Sequence, residues 1–319
     1  MSPMAKYKDL LTAAVILLFV LSLVAVSRVT QAAEGASSHY IPGGNGDIFL
    51  AVPPEPGFLV ANTFWYQTGY VGETVLDGQV ELNLDINTFL DLAALTYTFE
   101  QPIFGGRYTV GAVVPFGNAD LDTTIVGPGG GQFRASASSF DLSDIALIPF
   151  QLNWASGPWS FKVAEVIVAP TGGYSLSEIV NLGRNYWSFD TIAATTWFDP
   201  DKGLAFSIQP GLMINTKNSD TDYRTGTEFH LDLTLNQFLS PGFALGLRGY
   251  YYQQISGDSG DGALLGDYKS ESVGAGPAFV WIPKFGAGQL TVLGKWIHDF
   301  SAKNTFDSDY FTLTGSWKF

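Results

Sequence analysis

Cysteine is absent from the 319-residue chain, which excludes disulfides and thiolate metal sites. Histidine occurs three times, and the motifs G-x-S-x-G, H-E-x-x-H and the P-loop are all missing. The glycine tract at 127–132 has no Lys-Ser/Thr pair after it, so we interpret it as a flexible outside loop. The sequence therefore predicts no catalytic residues, no cofactor and no metal site.

Basic residues are also scarce, since 16 Lys and Arg stand against 30 Asp and Glu and give a net charge of -14. Such a chain cannot neutralise a phosphate backbone, which excludes nucleic acid as a partner. The alternating Asn218, Asp220 and Asp222 look like the start of a calcium loop. The glycine and glutamate that an EF-hand needs at its sixth and twelfth positions are missing, which favours a solvated acidic loop over the alternative of a weak surface cation site.

The N-terminus has the pattern of an export signal. Lys6 and Lys8 precede an apolar run at 10–26, and small residues follow at Ala32 and Ala33. Basic, apolar and small residues in this order predict a secretory signal peptide over 1–33. Because the apolar run is long, an uncleaved anchor helix is the alternative.

No later apolar run reaches the roughly 20 residues that a membrane-spanning helix requires. Short segments of period-two alternation occur instead, and they are typical of β-strands. We predict twelve of them, at 58–67, 88–99, 106–116, 140–153, 158–169, 186–198, 203–216, 226–238, 242–255, 271–282, 287–299 and 308–319. Residues 80–86 also alternate and either extend the second strand or form a loop hairpin.

The connections between these strands are alternately short and long, as in "DPDKG" against "SGDSGDGALLGDYK". Short periplasmic turns, longer extracellular loops and an even strand count characterise outer-membrane barrels. Closure pairs every strand edge, which is the only way that strands can span lipid. The predicted fold is therefore an all-β, antiparallel transmembrane barrel over 57–319 in the bacterial outer membrane, among its lipids. A soluble β-sandwich is the alternative.

The two faces of the strands differ as a barrel requires. In "EFHLDLTLN" at 228–236 the odd-numbered residues are apolar and the even-numbered residues are polar. We expect Trp65, Trp187, Trp197, Trp281, Trp296 and Trp317 to lie in aromatic girdles or on apolar faces. Glu165 falls on the face that Phe161 assigns to lipid, so a β-bulge is expected in that strand.

Polar residues on two neighbouring strands predict a lumen cluster. His230 and Asp232 share a face of one strand, and Arg248, Tyr250 and Tyr252 share a face of the next. With 239–241 as the turn, Asp232 would lie opposite Arg248 and His230 opposite Tyr250. Either a structural ion pair or a polar constriction in a pore would follow.

The last ten residues, "YFTLTGSWKF", alternate apolar with polar and end on Phe319. This pattern resembles the C-terminal signal of bacterial outer-membrane proteins, which their assembly machinery recognises. We therefore interpret Phe319 as an assembly signal and expect that machinery as a partner.

Four stretches carry a family resemblance: "SSHYIPGG" at 37–44, "NLGRNYWSFDT" at 181–191, "DYRTGTEFHLD" at 222–232 and "GYYYQQISGDSG" at 249–260. They resemble the outer-membrane proteins of the meta-pathway of phenol degradation, a group that includes sphingosine-induced porin-like members. The resemblance runs from about residue 37 to the C-terminus. It implies an outer-membrane barrel associated with uptake of aromatic or other hydrophobic compounds, and it carries over no functional residues.

The leading functional hypothesis is a channel or facilitator for small hydrophobic or aromatic solutes. A twelve-strand barrel lies between filled eight-strand barrels and open porins, so a narrow lumen is expected. Residues 34–56 form a periplasmic N-terminal segment without clean alternation, which could fold inward as a plug. The alternatives are a structural or adhesive surface barrel without transport and an outer-membrane lipid hydrolase using His298 near Ser301.

Overall fold

The structure is a computed structural model that describes residues 38–44, 48–75, 80–127, 130–263, 269–285 and 288–319. The segment interpreted as a signal peptide lies outside these ranges. The elements of the described ranges are β1 (Gly57–Val75), β2 (Val80–Thr98), β3 (Arg107–Val126), β4 (Gln132–Leu142), β5 (Ile145–Ser156), β6 (Trp159–Ala169), β7 (Ser188–Asp199), β8 (Leu204–Asn215), β9 (Glu228–Ser240), β10 (Phe243–Gln254), β11 (Glu271–Trp281), β12 (Lys284–Phe285), β13 (Gly288–Lys303) and β14 (Asp307–Lys318). Across these ranges there is no helix of the length and apolarity that a membrane crossing takes.

The strands form one closed antiparallel sheet. β1 pairs with β2 on one side and with β14 on the other, which joins the first strand to the last. β4 and β5 pair with successive lengths of β3, so together they fill one position. The two-residue β12 pairs with β13, as β11 does, and shares its position. Fourteen strands thus occupy twelve barrel positions, which confirms the predicted twelve-strand barrel.

From β5 to β10 the connections show the predicted alternation of short and long, whereas β1–β2 and β13–β14 are joined by only four and three residues. At the periplasmic end, β5–β6 and β9–β10 are joined by two residues each and β7–β8 by four. Gly157 and Gly203 take φ of 58° and 64° in two of these turns, a left-handed conformation that glycine adopts without steric cost. At the extracellular end, β6–β7 and β8–β9 are joined by 18 and 12 residues.

Several strands extend further at the extracellular end than the sequence predicted. Residues 80–86 belong to β2, so the first of the two readings of this stretch holds. The stretch taken as a loop after residue 116 instead forms the far half of β3, which pairs with β4 from Phe116↔Leu142 to Val126↔Gln132. Small polar residues are frequent in these stretches, so their two faces differ little in hydrophobicity. The sequence pattern therefore did not predict these parts of the strands.

The two faces of the wall differ as expected. Along β9 the even-numbered side chains from Glu228 to Asn236 are buried in the barrel, whereas Leu235 on the other face is 40% exposed. Trp187, Trp281 and Trp296 are also exposed, as girdle residues should be.

Trp65 and the β-bulge expected at Glu165 depart from the prediction. Trp65 is only 4% exposed and faces the lumen, because in β1 the even-numbered residues point outward. Glu165 lies on the outer face, as its sequence position indicated, where its carboxylate accepts a hydrogen bond from Thr191 at 2.7 Å. No bulge interrupts the pairing of β6 with β7, and the irregularity instead lies in β5, between Leu147 and Phe150.

The register of β9 and β10 differs from the prediction. Asp232 lies opposite Tyr250, His230 lies opposite Tyr252, and Arg248 lies opposite Thr234. The turn is the two-residue 241–242, and a bulge beside Phe243 takes up a further residue. This shifts the pairing by two residues and leaves the phase of the faces unchanged, so the predicted pairs Asp232–Arg248 and His230–Tyr250 are wrong.

Candidate functional site

Residues 38–44 and 48–56, called here the N-terminal segment, lie inside the barrel. The carbonyl oxygen of Ala51 accepts a hydrogen bond from Asn153 Nδ2 at 3.0 Å, and its N–H donates to Thr196 Oγ1 at 3.0 Å. Further along, the carbonyl oxygen of Ile48 accepts from Asn236 Nδ2 at 2.7 Å. These partners belong to β5, β7 and β9, so the segment is held from several sides of the lumen.

Nearer the extracellular end the segment is anchored by His39. Its Nε2 lies 2.9 Å from Asp144 Oδ2, and its Nδ1 lies 2.6 Å from Ser188 Oγ. Asp144 sits at the break between β4 and β5, where it also accepts hydrogen bonds from the N–H groups of Gly172 and Arg184. One carboxylate thus ties the segment to both ends of the 170–187 connection.

The side chain of Tyr40 fills a slot in the lumen wall, defined here by His230, Tyr252 and Asp232. Its ring stacks on His230 with centroids 4.4 Å apart and lies parallel to Tyr252 at 5.7 Å. Its hydroxyl donates to Asp232 Oδ1 at 2.9 Å, and the side chain is buried. Burial and the nearby Asp232 carboxylate raise the pKa of Tyr40 well above its usual value, so the hydroxyl stays a hydrogen-bond donor.

His230 stands between two carboxylates. Its Nε2 lies 2.9 and 3.1 Å from the two oxygens of Asp190, and its Nδ1 lies 3.5 Å from Asp232 Oδ2. The ring is fully buried and the Asp190 side chain is 6% exposed. A buried charge is tolerated only when it is paired and hydrogen-bonded, so Asp190 and His230 depend on each other.

All five predicted lumen residues are buried: His230, Asp232, Arg248, Tyr250 and Tyr252. Four of them belong to or adjoin the slot, and Tyr250 lies 6.2 Å from Tyr40 between ring centroids. Arg248 does not pair across the strands with Asp232. Its Nη1 donates to the carbonyl oxygen of Leu247 at 3.0 Å, and that of Leu235 lies at 3.5 Å.

Sequence reasoning missed several residues of this site. Asp299 receives hydrogen bonds from the hydroxyls of Tyr250 and Tyr310 and from the N–H of Ser308. Glu228 likewise accepts from Tyr252, at 3.0 Å. The inward phase of β9 would have identified Glu228, whereas Tyr250 and Asp299 meet only because β11 lies between β10 and β13, with Gly274 opposite both residues.

A β-carbon at position 211 of β8 would lie 2.1 Å from His230 Nε2. We expect Gly211→Ala to push the buried ring away from Asp190 and to lower the free energy of unfolding by about 1–3 kcal/mol. The matched control is Gly315→Ala in β14, where an added β-carbon meets nothing within 4 Å. Urea unfolding of both variants in detergent measures the difference, and equal midpoints would show that the ring moves without cost.

Phe319 and His298 lie at the outer surface. Phe319 is 72% exposed, and its N–H donates to the carbonyl oxygen of Phe58 at 3.2 Å. The His298 ring is half exposed, and its Nδ1 lies 3.2 Å from Asp309 Oδ1. Over the described ranges, the structure contains no group of His, Asp and Glu arranged to hold a metal ion.

The closed barrel and its polar lumen define an outer-membrane β-barrel protein. The chain belongs to the family described as "Putative MetA-pathway of phenol degradation", whose model matches residues 67–314. The comparison with curated proteins gives no match.

Solved structures that are similar to this chain include an outer-membrane channel from Pseudomonas putida F1. It is 14% identical, with a TM-score of 0.66, and the match covers 83% of this chain and 96% of that one. The translocator domain of the autotransporter NalP from Neisseria meningitidis is 13% identical, with a TM-score of 0.42 and 97% of each chain covered. The first likeness establishes the barrel fold and agrees with a location in the bacterial outer membrane.

Proposed function

We propose that this protein is an outer-membrane channel or facilitator for small hydrophobic or aromatic compounds, with the N-terminal segment as a movable plug. One observation carries the proposal: a polar lumen is occupied by a short irregular segment held through separate hydrogen bonds. The lumen wall contributes Asn153, Thr196, Ser207 and Asn236 to these bonds. Such a segment can leave without breaking any strand pairing of the barrel wall.

The solute class is proposed from the aromatic lining and from the family. The upper lumen contains a cluster of buried rings, Trp65, Tyr250, Tyr252 and Tyr310, beside the ring of Tyr40. Aromatic rings offer a flat apolar surface, and tyrosine hydroxyls add polar contacts for orientation. The association of the family with phenol degradation is consistent with solutes of this kind.

A reversible tether tests whether the segment controls passage. The N–H of Ala51 and the hydroxyl of Thr196 lie 3.0 Å apart, so cysteines at both positions are close enough to be joined. Because the chain has no cysteine of its own, that disulfide would be the only one. In planar bilayers we expect several-fold higher conductance and aromatic solute flux after reduction than before, with the single variant Ala51→Cys unaffected by reductant.

The same experiment distinguishes a channel from a structural or adhesive barrel. The filled lumen is consistent with a barrel of that second kind as well. If the N-terminal segment fills the lumen permanently, the folded wild-type chain should not conduct, and neither should the double-cysteine variant after reduction. That result, obtained with heat-modifiable protein, would contradict the channel proposal.

We further propose that the protein is not a lipid hydrolase. His298 lies on the outer face of β13 and is hydrogen-bonded to Asp309 rather than to Ser301. A general base must reach the proton of its nucleophile, so this arrangement does not activate Ser301. Phospholipase activity that is lost in His298→Ala would overturn this part of the proposal.

A further inference from the structure

Tyr40 is held in its slot as a small ligand would be. Each contact of the slot is made to the phenol group: two flat rings face it, and one carboxylate oxygen accepts its hydroxyl. The main-chain N–H of Tyr40 is used within the segment, where it donates to Ser38 Oγ at 2.9 Å. The slot therefore recognises the side chain and not the polypeptide that carries it.

The acceptor of the slot is held in place by His230. Asp232 Oδ2 lies 3.5 Å from His230 Nδ1, and its other oxygen accepts the Tyr40 hydroxyl. Both atoms of the 3.5 Å contact are buried. The contact therefore fixes the carboxylate with Oδ1 in position to accept a phenol hydroxyl.

The attachments of His39 and Pro42 do not involve the slot, whereas Ser38 donates to Glu228, which also accepts from the slot residue Tyr252. His39 is bound to Asp144 and Ser188, and the carbonyl oxygen of Pro42 accepts a hydrogen bond from Trp65 Nε1 at 3.0 Å. Removing the Tyr40 ring would leave those anchors intact and would vacate a flat space bounded by His230 and Tyr252. A free phenol fits the same geometry.

We propose that this slot is a binding site for solutes with a phenolic ring, and that Tyr40 is a built-in competitor which such a solute displaces. The inference rests on the proposed channel function and names its solute class and its means of opening. Because the wild-type slot is occupied, the apparent affinity for a free phenol is reduced by the fraction of time that the slot is vacant.

Phenol and anisole form a matched pair of probes, since anisole has the same ring and cannot donate a hydrogen bond. In the purified full chain, we expect Tyr40→Ala to bind phenol about tenfold or more tightly than the wild type does. It should also prefer phenol to anisole by about tenfold, because a hydrogen bond to a charged acceptor is lost with anisole.

Two variants serve as controls. Tyr186→Ala removes another buried tyrosine, which packs against His39 at 4.9 Å between ring centroids, and it should leave phenol affinity at the wild-type level. Adding Asp232→Leu to Tyr40→Ala should abolish the preference for phenol. If that double variant does not assemble, Asp232→Asn replaces it and should reduce the preference.

Hydrogen exchange tests displacement in the wild-type chain. Saturating phenol should speed exchange of the amides at 38–44, and anisole should have less effect. Equal binding of phenol and anisole by Tyr40→Ala, or unchanged exchange in the wild type, would overturn the inference. Conductance tests the channel proposal separately. A barrel that conducts but does not prefer phenol would therefore contradict the phenol site and leave the channel proposal standing.

Discussion

Asp190→Ala should lower the free energy of unfolding by about 3–5 kcal/mol, the typical cost of removing one partner of a buried ion pair. Both oxygens of Asp190 lie within 3.1 Å of His230 Nε2, and the His230 ring is fully buried. Without Asp190, the ring keeps Asp232 as a neighbour only at 3.5 Å. Urea unfolding of the variant in lipid vesicles measures the loss.

Two comparisons make this result interpretable. Lys202→Ala breaks an exposed ion pair with Asp199 at a periplasmic turn, where Lys202 is 74% exposed, and should change stability little. Replacing Asp190 and His230 together by leucine should restore part of the loss, since both members of that pair are then removed and Asp232 keeps the hydrogen bond from Tyr40. A loss of only about 1 kcal/mol or less in Asp190→Ala would show that water screens the lumen pair.

Deleting Phe319, or changing it to lysine, should leave most of the protein unassembled in the periplasm. In the finished barrel Phe319 is 72% exposed and adds one main-chain hydrogen bond, to Phe58. A lysine near the membrane interface costs only about 0–1 kcal/mol, so stability alone cannot produce a large defect. Such a defect would therefore reflect recognition of the terminal aromatic during assembly.

The heat-modifiable fraction in isolated outer membranes measures assembly. Phe300→Lys is the matched control, because Phe300 is 67% exposed on β13 and lies away from the C-terminus. We expect this control to assemble normally. Normal heat-modifiable mobility of the Phe319 variants would contradict the role of Phe319 as an assembly signal.

The periodic part of the fold was predictable because its signal is local. Side chains of a strand point alternately to its two faces, so the contrast of Leu231 and Leu233 with His230 and Asp232 defines the inward face without tertiary information. The alternation of short and long connections then indicated a closed barrel. The same reasoning failed for Trp65, since a single large aromatic does not define the phase of its strand.

The register between neighbouring strands could not be predicted from the local sequence, because it depends on the geometry of the turn that joins them. Between β9 and β10, a two-residue turn and a bulge replaced the expected three-residue turn. The parity of the faces is the same in both cases, but the partner of every lumen residue changes. Asp232 thereby lost Arg248 as its cross-strand partner and lies opposite Tyr250.

By itself, the sequence determined that this chain closes into a twelve-strand outer-membrane barrel with a polar lumen, because alternation and closure follow from the strand and from the lipid. Only the tertiary structure decided what occupies that lumen. Residues 38–44 and 48–56 have no periodic pattern, and their conformation depends on hydrogen bonds from strands far away in the chain. The slot for Tyr40 exists only when β9 and β10 lie side by side with the segment between them and the opposite wall.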